Sequence, residues 1–375
     1  MSPGSDNSKS INQLGRPPGA GKGSGKSALR GRQSDPAAVA EVRQIIGVSG
    51  TERSLLVEYL HQIQDREGCL YHRHLAALAH CLRLSLAEVY EVATFYHAFD
   101  VVADVAKPTT RTVRICSGLP CQMAGADVLA DTLAFQEGDD CKIIRSACMG
   151  RCDGAPVVSV RRNYLTHATP TAIQKRLSGP SHDDTVQPVV DFAGYEAVGG
   201  YQLLRQCLAG ERQPAQIITQ LEQSGLRGLG GAGFPTGRKW HLVAAEPGPR
   251  LLAVNGDESE PGTFKDRHYL ETDPHRFIEG MLLAAWAVAA DAVYIYLRDE
   301  YPHLRALLQR ELATVTAAGL WEGQIHLRRG AGAYICGEES AMLEKYRGQA
   351  RPAPLAPPLP FASGPIRPPD PDQQC

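Results

Sequence analysis

The sequence predicts an α/β protein in two parts, preceded by a helical bundle. Three observations carry this. Apolar residues recur at helical spacing from about Pro36 to Phe99, as in Leu55, Leu56, Tyr59, Leu60 and Ile63 and then Leu75, Leu78, Ala79 and Leu82. Short β-prone runs then alternate with helical stretches, and a Ser-, Pro- and Asp-rich segment near residues 179–190 divides them. With 375 residues, 43% of them apolar, the chain is long enough for two or three separate cores.

Taken in order, residues 1–35 are rich in Gly, Ser, Pro and basic side chains, bury nothing large, and are expected to be a disordered tail. Within them, residues 20–27 (Ala-Gly-Lys-Gly-Ser-Gly-Lys-Ser) mimic a phosphate loop, but no strand precedes them, so they are read as a chance match. The bundle and a compact α/β unit occupy 36–178: strand Thr112–Ile115, a helix near Gly125–Phe135, strand Lys142–Ile144 and a strand around Val157–Val160. A linker is expected over 179–195. A larger α/β domain follows over 196–348, with strands at Leu251–Val254 and Ala292–Leu297 and helices at Arg276–Ala290 and Tyr301–Ala318. Residues 349–375 form a Pro-rich tail.

Bulk properties exclude several functions. Lys plus Arg number 39 against 41 Asp plus Glu, so no overall field draws the chain to nucleic acid or an anionic membrane. The apolar run Met281–Leu297 is 17 residues, interrupted by Asp291, and reads as a buried helix running into a strand rather than a bilayer span. No apolar signal segment opens the chain, so a cytoplasmic location is expected, with any membrane association made through partner subunits. In a reducing compartment the ten cysteines need an explanation other than disulfides.

Cys116 and Cys121 follow one predicted strand, and Cys148 and Cys152 follow another, so two strand-end loops can bring four thiolates together. Gly118, Gly125, Gly150 and Gly154 let those loops bend closely. A [2Fe–2S] cluster needs two soft sulfur ligands on each iron and fits this C-x4-C and C-x3-C pattern. Zinc held by four thiolates and unligated core thiols remain alternatives. Cys69, His72, His74, His80 and Cys81 could suggest a second metal site, but they fall in helical segments facing different ways. Cys141, Cys207 and Cys336 read as small buried hydrophobes.

Three further motifs stand in the larger domain. Residues 225–237 hold six glycines in thirteen positions and lead into Arg238 and Lys239, a stretch where backbone can approach a phosphate or a flat ring. Strand 251–254 runs into Asn255-Gly256-Asp257-Glu258-Ser259-Glu260-Pro261-Gly262. Three acids within four residues repel one another, which points to a ligand rich in hydroxyl and amide donors, with a divalent cation as the alternative. The third is Gly330-Ala331-Gly332-Ala333-Tyr334-Ile335-Cys336-Gly337-Glu338-Glu339, a glycine turn opening a helix expected through Met342 to Tyr346. It suits an anion site, or simply two acids complementing a helix dipole.

Together these motifs, in this order and at these separations, resemble the flavin subunit shared by NADH:quinone oxidoreductase (complex I), NAD-dependent formate dehydrogenase and NAD-reducing hydrogenase. The region from about Pro36 to Leu177, including Ala93-Thr94-Phe95-Tyr96, likewise resembles the small [2Fe–2S] subunit of the same complexes. The resemblance implies a thioredoxin-like [2Fe–2S] domain behind the bundle, then a Rossmann-like α/β FMN-binding domain. It implies an NADH dehydrogenase, or diaphorase, exchanging hydride between NAD(H) and FMN and passing single electrons to iron–sulfur clusters, with no side chain acting as acid or base. Carried over residue by residue, it implies cluster ligation by Cys116, Cys121, Cys148 and Cys152. FMN contacts would come from the loop of Gly228, Gly230, Gly231 and Gly233 and from Lys239, Asn255, Asp257, Glu258, Tyr334, Gly337 and Glu338. NAD(H) contacts would come from Phe234, Glu260 and Glu339. Residues 263–267 and 292–301 look closest to the formate dehydrogenase branch, which implies a separate molybdenum or tungsten subunit as electron donor.

Two departures matter. Leu229 stands where the family usually has Arg. After Gly348 the sequence lacks the family's downstream flavin segment, ubiquitin-like domain and [4Fe–4S] domain, so an isolated chain is expected to keep its [2Fe–2S] cluster but hold FMN weakly. A non-catalytic relay or assembly fragment is the rival reading.

Overall fold

The computed structural model describes residues 34–47, 52–105, 112–137, 141–160, 163–179, 187–229, 232–338 and 342. Apart from Ser34 and Asp35, both expected tails lie outside the described residues, as do the phosphate-loop mimic at 20–27 and the helix expected over 343–346.

The first segment is helical. α1 (Pro36–Ile46) begins with Asp35 accepting the Ala37 N–H and Pro36 in the first turn, and ends at Gly47 in a positive-φ conformation. α2 (Leu56–Glu67) ends at left-handed Gly68. A two-residue β1 (Leu70–Tyr71) precedes α3 (His72–Leu82), and α4 (Leu86–Phe95) opens with a Ser85/Glu88 capping box. β2 (Val101–Val102) pairs with β1 in parallel. Val42, Leu60, Ile63, Leu75, Leu78 and Val89 close one core, each large side chain contributing roughly 1.5–3 kcal/mol.

The second segment is a four-stranded sheet in the order β4-β3-β5-β6, built from β3 (Thr112–Cys116), α5 (Leu119–Met123), α6 (Ala126–Glu137), β4 (Lys142–Ser146), β5 (Val158–Val160), β6 (Asn163–Leu165) and α7 (Pro170–Ser178). β3 and β4 are parallel, and β5 and β6 run antiparallel beside β3. The parallel pair ends in register at Cys116 and Ser146. Both cysteine loops therefore leave the same edge.

The third segment comprises α8 (Phe192–Ala197), α9 (Gln202–Leu208), α10 (Pro214–Ser224), α11 (Thr236–Ala245), β7 (Leu251–Gly256), α12 (Lys265–Thr272), α13 (Pro274–Ala287), β8 (Ala292–Leu297), α14 (Pro302–Ala317) and β9 (Gln324–Arg329). β7, β8 and β9 are parallel, with Gly256 opposite Leu297 and Leu297 opposite Arg329. Three loops thus start along one line at the carboxyl edge of the sheet, where open α/β sheets place their ligands. The run Met281–Leu297 is indeed the end of α13 followed by β8, and among the described residues no helix is long and apolar enough to cross a membrane.

Some elements differ from the sequence reading. β9 was not foreseen. The end of the expected linker packs into the third segment: Asp191 caps α8, the Val190 N–H donates to Thr272 O, and buried Tyr195 donates its hydroxyl to Glu279 at 2.6 Å. The first segment seats on the carboxyl edge of β8 and β9, sharing a core with Tyr296, Ala331, Cys336 and Met342. Buried His61 sets its Nε2 2.7 Å from the Gly330 carbonyl.

Candidate functional site

The four cysteines come together. Cys116, Cys121 and Cys148 are buried and Cys152 is partly so. The Cys116 thiol bonds with both Cys121 and Cys148, and the Cys148 and Cys152 sulfurs lie 3.5 Å apart. With metal–sulfur bonds of about 2.3 Å, two thiolates on one tetrahedral metal stand roughly 3.7 Å apart. The bond with Cys121 pushes the Cys116 thiol up in pKa, while the same bond pulls Cys121 down; contact with Cys116 and then burial push Cys148 up, and burial pushes Cys152 up to about 11. Packed thiols of this kind resist giving up their protons together, so a positively charged metal core supplies what they lack. Among the described residues no three His, Cys, Asp or Glu side chains are gathered tightly enough to hold a single metal ion. The contacts link the thiols in a chain, Cys121 to Cys116 to Cys148 to Cys152, two pairs joined side by side as a two-iron cluster needs. A side chain at Gly118 would press on the Cys148 Cβ at 3.3 Å, and the Gly118 and Gly150 amides each donate to a ligand sulfur at 3.4 Å.

The acidic turn and the third motif leave the carboxyl edge of the third segment's sheet, and the glycine loop leads into α11 of the same segment. The glycine loop is closed at its base, the Gly228 N–H donating to Phe234 O and the Thr236 N–H to Leu226 O. Gly233, at φ +61°, has nothing near its absent Cβ, which leaves the backbone accessible. Lys239 projects exposed from the first turn of α11, and the Arg238 guanidinium lies over the Phe234 ring. Leu229 is 86% exposed. Gly230 and Gly231 lie outside the described residues.

The acidic turn is organised differently from expectation. Glu258, its side chain only 1% exposed, accepts from the Asp266 and Arg267 amides at 2.9 and 3.2 Å, from Lys265 Nζ at 3.4 Å and from the Tyr301 hydroxyl at 3.4 Å. Buried Asp257 accepts from Ser259 Oγ. Repulsion among the acids is thus largely relieved inside the protein, by the start of α12 and the turn itself; only Glu260 is exposed. Asn255 ties this turn to the third motif, donating to Gly337 O at 2.7 Å and accepting from the Asp257 amide. A Cβ at Gly337 would meet Asp257 O at 2.8 Å. Tyr334 is exposed, Glu338 is half-buried, and Glu339 lies outside the described residues.

The two groups of residues adjoin. A cavity of about 250 Å³ between them is lined by Gly118 and Cys148 on one side and by Ser259, Arg298, Glu300 and Tyr334 on the other. The Gly262 amide, at the end of the acidic turn, donates to Cys152 Sγ at 3.2 Å. Arg298, directly after β8, donates to the carbonyls of both Cys148 and Glu258 and pairs with Glu300 at 3.0 Å. Arg267 and Tyr301 both reach Gly150 O, and Arg267 also pairs with Asp153. Arg298, Glu300, Tyr301 and Arg267 fell in the stretches that resemble the formate dehydrogenase branch but were given no role in the site. The one available signal was a charged Arg-Asp-Glu triplet immediately after an apolar strand.

Comparison with known proteins agrees with this layout. Residues 42–179 match the thioredoxin-like [2Fe–2S] ferredoxin family, and residues 221–364 match the Nuo51 FMN-binding domain family. An NADH-quinone oxidoreductase subunit from Rhizobium meliloti is 46% identical over 45% of this chain and 42% of its own length. The alpha subunit of the NAD-reducing hydrogenase HoxS from Cupriavidus necator is 30% identical over 84% of this chain and 59% of its own. The crystal structure of an NAD+-reducing [NiFe]-hydrogenase in the H2-reduced state superposes with a TM-score of 0.66 at 28% identity, covering 80% of this chain and 56% of that one. The chain therefore spans about two fifths to three fifths of the length of these relatives.

Proposed function

We propose, from the premise that this chain joins a thioredoxin-like [2Fe–2S] ferredoxin domain to a Nuo51 FMN-binding domain, that it is the electron-input module of an NADH-oxidising or NAD+-reducing complex. The observation that carries this is the shared turn: residues 255–262 hold the third motif at one end and donate to a cluster cysteine at the other. Bound FMN would supply hydride exchange with NAD(H) and the division of an electron pair into single electrons. The protein's part is to bind, orient and shield. Gly228 and Gly233 offer open backbone to a phosphate or ring, and Lys239 adds a positive charge nearby in sequence. Asn255, Asp257, Tyr334, Gly337 and Glu338 frame the flavin, Glu258 holding its turn in place from behind. Phe234 and Glu260 offer a stacking face and a carboxylate acceptor to NAD(H). Cys116, Cys121, Cys148 and Cys152 hold the cluster.

Anaerobic purification followed by iron, sulfide and flavin assay, and by NADH-dependent ferricyanide reduction, tests this. Near-equal iron and sulfide with NADH-driven turnover on added FMN supports it, and a brown protein that never reacts with NADH supports a relay or assembly fragment instead. Stoichiometric flavin that survives purification would overturn the weak-FMN expectation. The HoxS relative, matched over 84% of this chain, favours a hydrogenase-type partner, the NADH-quinone oxidoreductase relatives a quinone-type one, and residues 263–267 and 292–301 a molybdenum or tungsten formate-oxidising one. Hydrogen-, quinone- and formate-linked turnover of the complex recovered with the tagged chain separates the three.

A further inference from the structure

Four donors from the third segment reach the loop that carries Cys148 and Cys152. Arg298, its side chain 1% exposed, gives one N–H to Cys148 O and another to Glu258 O. The Gly262 amide donates to Cys152 Sγ. Tyr301 Oη and Arg267 Nε donate to Gly150 O at 3.1 and 3.3 Å. So close is this approach that a Cβ on Gly150 would overlap the Tyr301 hydroxyl at 2.2 Å.

A docking contact alone does not require this pattern. Acceptors on the cysteine loop are met by donors, two of them on full cations, and one donor is aimed at a ligand sulfur. One-electron reduction of a [2Fe–2S] cluster turns one of two ferric ions ferrous and adds one negative charge to the sulfur-rich core. A buried guanidinium and an N–H to a thiolate stabilise that added charge, and such outer contacts are among the settings of a cluster's potential. Glu300 offsets part of the Arg298 charge but leaves both of its carbonyl contacts in place.

We propose that Arg298, seconded by the Gly262 amide and the Tyr301 hydroxyl, is a positioning residue through which the flavin-binding part raises the reduction potential of the cluster held by the other part. The cluster is then a better electron acceptor when docked against the acidic turn than it would be alone. This rests on the reading that the four cysteines hold a [2Fe–2S] cluster.

The test is a mediated dithionite titration of the full chain followed by low-temperature EPR, with iron and sulfide assayed on every sample. Arg298→Met is expected to lower the reduction equilibrium constant about tenfold, a fall near 59 mV for one electron. Arg298→Lys, which keeps the charge but not the fork, is expected to lie between it and the native chain. Tyr301→Phe, losing one neutral donor, should fall least. Unchanged midpoints in Arg298→Met and Arg298→Lys, both with full iron and sulfide, would overturn the proposal. Should Arg298→Met not fold, unchanged midpoints in Arg298→Lys and Tyr301→Phe overturn it equally. A native chain without a [2Fe–2S] signal would instead sink the cluster reading itself.

Discussion

At the thiol site four side chains of one chemistry leave two neighbouring loops and touch one another. In the third segment, residues of three motifs stand in three loops and mostly touch the protein around them. Asn255 holds Gly337, Glu258 holds the start of α12, and Asp257 holds Ser259. The first site is made of ligands. The second is made largely of braces that leave backbone, Glu260, Lys239, Phe234 and Tyr334 facing outward, and so a motif there records architecture as much as contact.

The sharpest way to break this contrast is at the cysteines. Cys148→Ser or Cys152→Ser should abolish the iron–sulfur absorbance and EPR signal, because one iron loses half of its protein ligands; a cluster retained at native stoichiometry would show that these thiols are not ligands. Next comes the division of labour among the acids. Glu258→Gln leaves the α12 amides and Lys265 without a carboxylate and should cost about 2 kcal/mol of stability, read as a lower denaturation midpoint with unchanged iron content. Glu260→Gln should leave that midpoint alone and raise the KM for NADH about tenfold, worth about 1.4 kcal/mol. If both variants lose stability equally, the distinction between brace and ligand fails.

The smallest effect expected is on pH. Burial, helped by the Arg151 guanidinium against Nδ1, holds His303 below its ordinary value of 6.5 despite the Glu271 carboxylate at 2.8 Å. An unfolded chain takes up that proton first, so the contribution is present above about pH 6.5 and fades as the pH drops below it. Glu271 extends the trend only to lower pH, below about 4.5. Burial works against its charge, but His303 and Arg267 hold its pKa below the ordinary carboxylate value, so its contribution too is lost on acidification. A lower melting temperature at about pH 5.5 than at about pH 7.5, less pronounced in His303→Gln, is the expected reading by calorimetry.

Much of the framework was legible because its signals are local. Helical spacing marked α2 and α3, and apolar runs marked β3, β7 and β8. β9 escaped because Gln324, His326 and Arg328 alternate along one face and read as a polar connection, although the other face meets the core through Ile325 and Leu327. The cysteine site was legible because thiol spacing carries its own chemistry. The acidic turn was misjudged for the opposite reason: adjacent like charges are visible in a sequence, whereas the amides of Asp266 and Arg267 that answer them are not. Arg298 was invisible as a bridge because its partner at Cys148 lies 150 positions away.

The bond from His61 to Gly330 has a consequence for biosynthesis. The two residues are 269 positions apart, so at 5–20 residues per second the helical segment leaves the ribosome roughly 15–50 s before its last partner does. Through that interval the face that later receives Tyr296, Ala331 and Cys336 waits for these partners. The helical segment is thus finished only when the sheet edge it packs on has been made, and its nascent face is where a chaperone has a long opportunity to act.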